Sequence, residues 1–138
     1  MLIIPSLSLL AFVTVGTPEL WDKHNWEALE MEAQQAMETG VFRYPYHNVL
    51  FAHSSPTRNY HGMAGDLFQP ILKLKPRQLI IYNGERYRIT NTEIIEPEQI
   101  EVVIQPRGTL LLITCYPIGS QAKRFVVFAK ALSNHGQM

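Results

Sequence analysis

Cysteine is almost absent. Cys115 is alone among 138 residues, so no internal disulfide can staple the chain and its fold must rest on a packed core. Excess charge of either sign is missing too. Twelve Lys and Arg balance twelve Asp and Glu, and no basic cluster breaks that balance, which removes the electrostatic footprint that nucleic acid or anionic lipid would need. No internal repeat, low-complexity tract or linker interrupts the sequence, so residues 1–138 read as one domain. Long apolar runs are lacking as well. Met1 to Pro18 carries no charge, yet it has no basic leader, and Pro5, Ser6, Ser8, Thr14 and Gly16 break it before spanning length. It reads as a pair of short core strands, with any membrane anchor expected outside this chain. His47, His53 and His61 lack the cysteine partners and spacing of a structural zinc site.

What is present is a globular composition, 46% hydrophobic and 17% charged. Two apolar runs, Thr109 to Cys115 and Arg124 to Ala129, are rich in branched and aromatic residues and read as buried strands. Tyr116 to Lys123 between them holds Pro117, Gly119 and Ser120, which punctuate rather than propagate structure. Val49 to Ala52 is another buried strand, ended by His53-Ser54-Ser55-Pro56. Gln78 to Tyr82 and Tyr87 to Ile95 flank Asn83-Gly84, the signature of a tight hairpin with a primed turn. Val41 to Tyr46 is a short extended piece, and Val102 to Ile104 is strand-like. Asn25 to Glu38 is built of strong helix formers, with Trp26, Leu29, Ala33, Ala36 and Met37 as its apolar stripe and Gly40 as its stop. A helical turn is expected near Leu67-Phe68, within the polar connection 57–70. About eight short strands with one or two helices point to a mostly β, mostly antiparallel barrel or sandwich.

If the last two strands pair antiparallel across their loop, Cys115 and Arg124 share one rim. His53 ends a third strand in the same way. Each residue alone has an ordinary explanation: a cysteine in a leucine-rich strand is a small hydrophobe, and a histidine or arginine at a strand end is structural or solvated. Together they make a chemical set. The thiolate is the attacking species, histidine the acid and base, and a guanidinium cannot be a base but can donate a planar fork to a developing oxyanion or to substrate carbonyls. The set suits acyl transfer through a thioester.

Leu112-Ile113-Thr114-Cys115, then Tyr116-Pro117 and Lys123-Arg124-Phe125-Val126-Val127, resembles the Cys-to-Arg signature of sortases. Upstream pieces resemble the family in the same order: Ile4-Pro5-Ser6-Leu7, Glu38 to Pro45, Ala52-His53-Ser54-Ser55 and Lys73-Leu74-Lys75-Pro76. The resemblance implies an eight-stranded barrel with one or two helices and short 3₁₀ turns. It also implies a transpeptidase that cuts a Leu-Pro-x-Thr-Gly-like signal after threonine. Cys115 would carry the thioester, His53 would serve the leaving and incoming amines, and Arg124 would be the arginine of the catalytic set. Thr114, on the strand face opposite Cys115, would help shape the oxyanion or substrate pocket, and Tyr116, Ala52 and Ser54 would join it in binding substrate. The implied partners are surface proteins with C-terminal sorting signals and an amine acceptor of the cell wall or a pilus, met at the outer face of the cell membrane. Hydrolysis of the same thioester, or an inert binding barrel, are the rival readings.

The sequence departs from the pattern at Leu111, where the family has threonine, at Ala52, where it has glycine, and at Pro76-Arg77, in place of a Gly-Asp turn. The segment from Glu96 to Gly108 is too short for the inserted helix of class B, and no Asp-Pro-aromatic lid precedes the barrel, so the resemblance leans to classes A, D or E. No cofactor is implied. Calcium, which some sortases bind, would have to use Asp66, Glu96, Glu98 and Glu101, and glutamates scattered over a turn more often form a solvated face.

Overall fold

A computed structural model describes residues 1–54, 67–99, 108–117 and 120–132. Among the described residues nine strands form one sheet, in the order β2-β1-β6-β7-β9-β8-β5-β4-β3. They are β1 (Leu2–Ile4), β2 (Leu9–Ala11), β3 (Val13–Val15), β4 (Val41–Arg43), β5 (Val49–Phe51), β6 (Leu79–Tyr82), β7 (Glu85–Ile95), β8 (Thr109–Tyr116) and β9 (Lys123–Ala131). The two outermost strands, β2 and β3, are consecutive in the chain and separated only by Phe12. A sheet whose opposite edges are joined by one residue must curl round on itself, so the architecture is a nearly closed barrel. The expected barrel is present with nine strands rather than eight. The count differs because residues 2–15 split: β1 and β2 pair with each other, while β3 crosses to the far edge and pairs parallel with β4.

Local chemistry explains the breaks. Pro5, with its fixed φ and no N–H, opens a 3₁₀ turn at Pro5–Leu7 between β1 and β2. Asn83 and Gly84 both have positive φ, as a primed two-residue turn requires, and join β6 to β7. A further 3₁₀ turn covers Gln69–Lys73, just after the position where Leu67-Phe68 led one to expect it. The strand-like run Val102 to Ile104 lies outside the described residues, as does the connection across 55–66.

Two helices fill the crossover from β3 to β4. The first, α1 (Pro18–Asp22), is five residues long, too short for periodicity to reveal. The second, α2 (Trp26–Ala36), is capped by Asn25, whose side chain accepts from Ala28 N at 3.3 Å. Its buried stripe is narrower than the sequence implied. Leu29 and Ala33 are buried, Ala36 is half-buried, Met37 lies past the last turn, and Trp26 is 52% exposed. The helix stops at Ala36, before Gly40. Gly40 instead meets the link between β2 and β3: a Cβ there would lie 2.8 Å from the carbonyl oxygen of Phe12, so only glycine allows that approach.

Side chains alternate between two layers. Leu50, Ala52, Leu110, Leu112, Phe125, Val127 and Ala129 fill the barrel with residues from β1, β2, β6 and β7. Val49, Leu111, Ile113, Val126, Phe128 and Ile95, with Phe51 packed against them, form a second cluster on the outer face of the central strands. β8 and β9 are covered on both sides, which is why they read as unbroken apolar runs.

Candidate active site

β8 lies between β9 and β5. β9 runs antiparallel to it with Cys115 directly opposite Arg124. β5 runs parallel to it with Phe51 beside Ile113. Two residues on from that pair come His53 and Cys115. The thiol residue therefore stands on the middle strand, with the guanidinium residue on one flank and the imidazole residue in line on the other. All three follow the alternation of the outer layer, as continuations of Phe51, Ile113 and Val126.

Polar bonds carry this alignment past the end of β5. Ala52 N donates to Ile113 O at 3.4 Å. Thr114 Oγ1 donates to Ala52 O at 2.7 Å, and Ser54 Oγ donates to Cys115 O at 2.9 Å. The last two run in opposite directions across the same gap and tie the residues on either side of His53 to those at and before Cys115. The far side of His53 is held as well, since its carbonyl accepts from Phe68 N at 2.8 Å. Burial lowers the His53 pKa below its ordinary value, so the imidazole is neutral over most of the range near pH 7 and can accept a thiol proton. Cys115 is partly buried and its sulfur is a free thiol. Arg124 Nη1 donates to the carbonyls of Gln121 at 2.9 Å and Lys123 at 3.0 Å. Among the described residues no bond takes its Nε or Nη2, so part of the donor fork remains for an incoming carbonyl.

The residues expected to shape a substrate pocket are largely buried. Ala52, Ser54 and Thr114 are 5%, 2% and 3% exposed. Thr114 belongs to the inner layer because its strand neighbours Ile113 and Cys115 take the outer one. A buried hydroxyl needs a partner, and those of Ser54 and Thr114 find backbone carbonyls of the rim. Tyr116 likewise turns inward, packing on the barrel core with its ring 6.1 Å from Phe125. Of the proposed calcium ligands, Asp66 and Glu101 lie outside the described residues. Glu96 is ion-paired with Lys123, and among the described residues no group of three or more His, Cys, Asp or Glu could hold a metal ion.

A feature of the outer face had no signal in the sequence. An open cavity of about 570 Å³ begins at Val49 and Phe51, one pleat from His53, and is walled by Trp21, Trp26 and Tyr44 with Glu30 and Glu98. The exposed Trp26 belongs to this wall rather than to the helix's buried stripe. Trp21 holds the wall together, with ring contacts to Trp26 at 5.2 Å, to Tyr44 at 5.9 Å and to His47 at 5.0 Å.

The fold and this rim can be set against known proteins. Sortase C1 from Streptococcus suis superposes with a TM-score of 0.71 at 20% identity, covering 97% of this chain and 72% of that one. Sortase A from Listeria monocytogenes gives 0.69 at 20% identity, covering 96% and 85%. Sortase C-1 from Actinomyces oris gives 0.69 at 18%, covering 96% and 72%. The likeness spans A-type and C-type structures and is one of fold. No similar sequence was found among curated proteins. A family model described as the sortase domain matches residues 2–132, nearly the whole chain, and on that match the chain belongs to the sortase family.

Proposed function

We propose that the chain is a cysteine transpeptidase acting on Leu-Pro-x-Thr-Gly-like sorting signals of surface proteins. The observation that carries the reading is the strand order, which sets Cys115 between His53 and Arg124 on one rim. The thiol proton passes to His53 as Sγ attacks the threonine carbonyl. The resulting oxyanion takes hydrogen bonds from Arg124, whose other bonds to Gln121 and Lys123 fix its planar group at the rim. Collapse breaks the Thr–Gly bond, and His53 returns its proton to the departing amine, leaving a thioester on Cys115. An amine of the cell wall or a pilus then attacks the thioester. His53 accepts a proton from that amine, and the thiolate leaves and is reprotonated, so protons balance over the cycle. The reaction is placed at the outer face of the cell membrane, where sortases act in general. Among the described residues no helix is long and apolar enough to cross a membrane.

Intact-mass measurement after incubation with a sorting-signal peptide tests this. Wild type gains the mass of the acyl fragment on Cys115, and Cys115→Ala does not. Adding a primary amine converts the adduct into a ligated product. Full turnover by Cys115→Ala defeats the proposal, and free acid as the sole product in the presence of amine replaces it with a peptidase.

A further inference from the structure

The cavity beside the candidate site combines two kinds of wall that seldom serve a purely apolar ligand. Trp21, Trp26, Tyr44 and Phe51 present rings, with Tyr44 edge-on to Phe51 at 5.4 Å. Glu30 and Glu98 add two carboxylates, and no lysine or arginine is among the described residues of the lining. The one ion pair among the described residues joins Glu96 to Lys123, so neither Glu30 nor Glu98 is neutralised by a described basic side chain. The only described bond on Glu30 comes from the neutral amide of Gln34, at 3.4 Å. Its charge reaches the cavity: the Tyr44 phenol is pushed up first by burial and then by Glu30. Aromatic faces attract cations through their quadrupole, and adjoining carboxylates supply the countercharge. A neutral aliphatic group would gain the rings but nothing from the two carboxylates.

We propose that this cavity is a subsite for a basic side chain, lysine or arginine, on the peptide acylated at Cys115. Val49 and Phe51 of β5 lie four and two residues before His53, so an extended peptide rising about 3.3 Å per residue brings residues about two to four positions from the bond that is cut alongside the cavity. In Leu-Pro-x-Thr-Gly these are x, proline and leucine, so the basic residue is x. Assignment of the ligand to that peptide rests on the transpeptidase reading. The cation preference of the cavity does not.

The chain contains two tryptophans, and both line this cavity, so intrinsic tryptophan emission reports on it specifically. The full chain is titrated with capped Ala-Lys-Ala and with capped Ala-norleucine-Ala, which has the same stem without the charge. The expected result is a saturable change with the lysine peptide and an affinity at least fivefold below it for the norleucine peptide. The Glu30→Gln, Glu98→Gln double variant changes two exposed residues and should abolish that preference. A ratio below fivefold in the wild type, a preference retained in the double variant, or no saturable change with lysine overturns the subsite. Because this readout needs no chemistry at sulfur, it separates the two proposals. Lysine binding without acylation of Cys115 sinks the transpeptidase, and acylation without a lysine preference sinks the subsite.

Discussion

The two hydrogen bonds that cross between β5 and β8 make the sharpest test of how the rim is held. Thr114→Val keeps the shape of a 3% exposed side chain and deletes only its hydroxyl, leaving the Ala52 carbonyl without that 2.7 Å donor. Ser54→Ala deletes the reciprocal 2.9 Å bond to the Cys115 carbonyl, also in a buried setting. A net intramolecular hydrogen bond is worth about 1 kcal/mol, and stranding a buried acceptor costs about 1–3 kcal/mol. Each variant should therefore lose about 1–2 kcal/mol, which for a chain of this size is a fall of roughly 3–10 °C in melting temperature. Because the bonds span the same gap, the double variant should deviate from additivity. The larger effect should fall on catalysis. Misplacement of reacting groups by about 1 Å costs on the order of a hundredfold, and these bonds are what hold the His53 backbone beside that of Cys115. The rate of acyl-adduct formation should drop at least tenfold in the double variant at a temperature where it is fully folded. If the melting temperature falls as stated while acylation keeps the wild-type rate, the bonds stabilise the barrel and position nothing.

Arg124→Lys retains the charge but not the fork. It should lower kcat/KM for a sorting peptide by roughly a hundredfold, the size expected when an oxyanion donor is removed, with a melting temperature within a few degrees of wild type. Full activity in the lysine variant would remove Arg124 from the oxyanion. For His53, burial lowers the pKa in the folded state, so between that value and the ordinary value of about 6.5 the unfolded chain binds more protons than the folded one. Its contribution to stability is intact above about pH 6.5 and is lost as pH falls through the folded value. The melting temperature of wild type should thus fall more between pH 7 and pH 5 than that of His53→Gln, and parallel curves would contradict the burial effect. Arg77 has φ of 80° at an exposed position, a left-handed conformation that costs a side chain about 1–2 kcal/mol. Allowing for the extra unfolded-state entropy of glycine, Arg77→Gly should stabilise by about 0.5–1 kcal/mol in urea denaturation, and a destabilised variant would show that Arg77 is not strained.

Much of this arrangement was legible because its signals are local. Asn83-Gly84 specifies its turn by backbone chemistry alone. The runs ending in β8 and starting in β9 are apolar on both faces, and the short loop between them forces an antiparallel pair, so Cys115 opposite Arg124 follows from chain order. The nonlocal features were not legible. Nothing in Val13-Thr14-Val15 says that it leaves its neighbour β2 and pairs parallel with β4 across two helices. Trp26 fits an apolar stripe by spacing, and only the tertiary position of α1 turns it toward a cavity with Trp21. Thr114 did carry a usable clue. It is the polar residue at an inward position of an otherwise apolar strand, and a hydroxyl buried there must find an acceptor across the sheet. That alternation places Thr114 on the strand face opposite Cys115.

Topology explains why the three candidate residues gather where they do. Two of the three residues stand at the carboxyl ends of strands and one at the start of a strand. Strand ends share a rim only when the strands run parallel, so His53 and Cys115 require the β5–β8 pairing to be one of the sheet's two parallel contacts. A start shares that rim only across an antiparallel pair, which β9 supplies. Register then decides the face, since a slip of one residue in β8 would turn Cys115 into the barrel and Thr114 out of it. The bonds of Ser54 and Thr114 act at the point where β5 has run out of ladder and register is least defended. The apolar clusters on both faces of β8 and its ladder to β9, which runs on to Tyr116 and Lys123, oppose slippage along its length. On the β5 side these two hydroxyls add to the Ala52 N–Ile113 O bond at the Cys115 end.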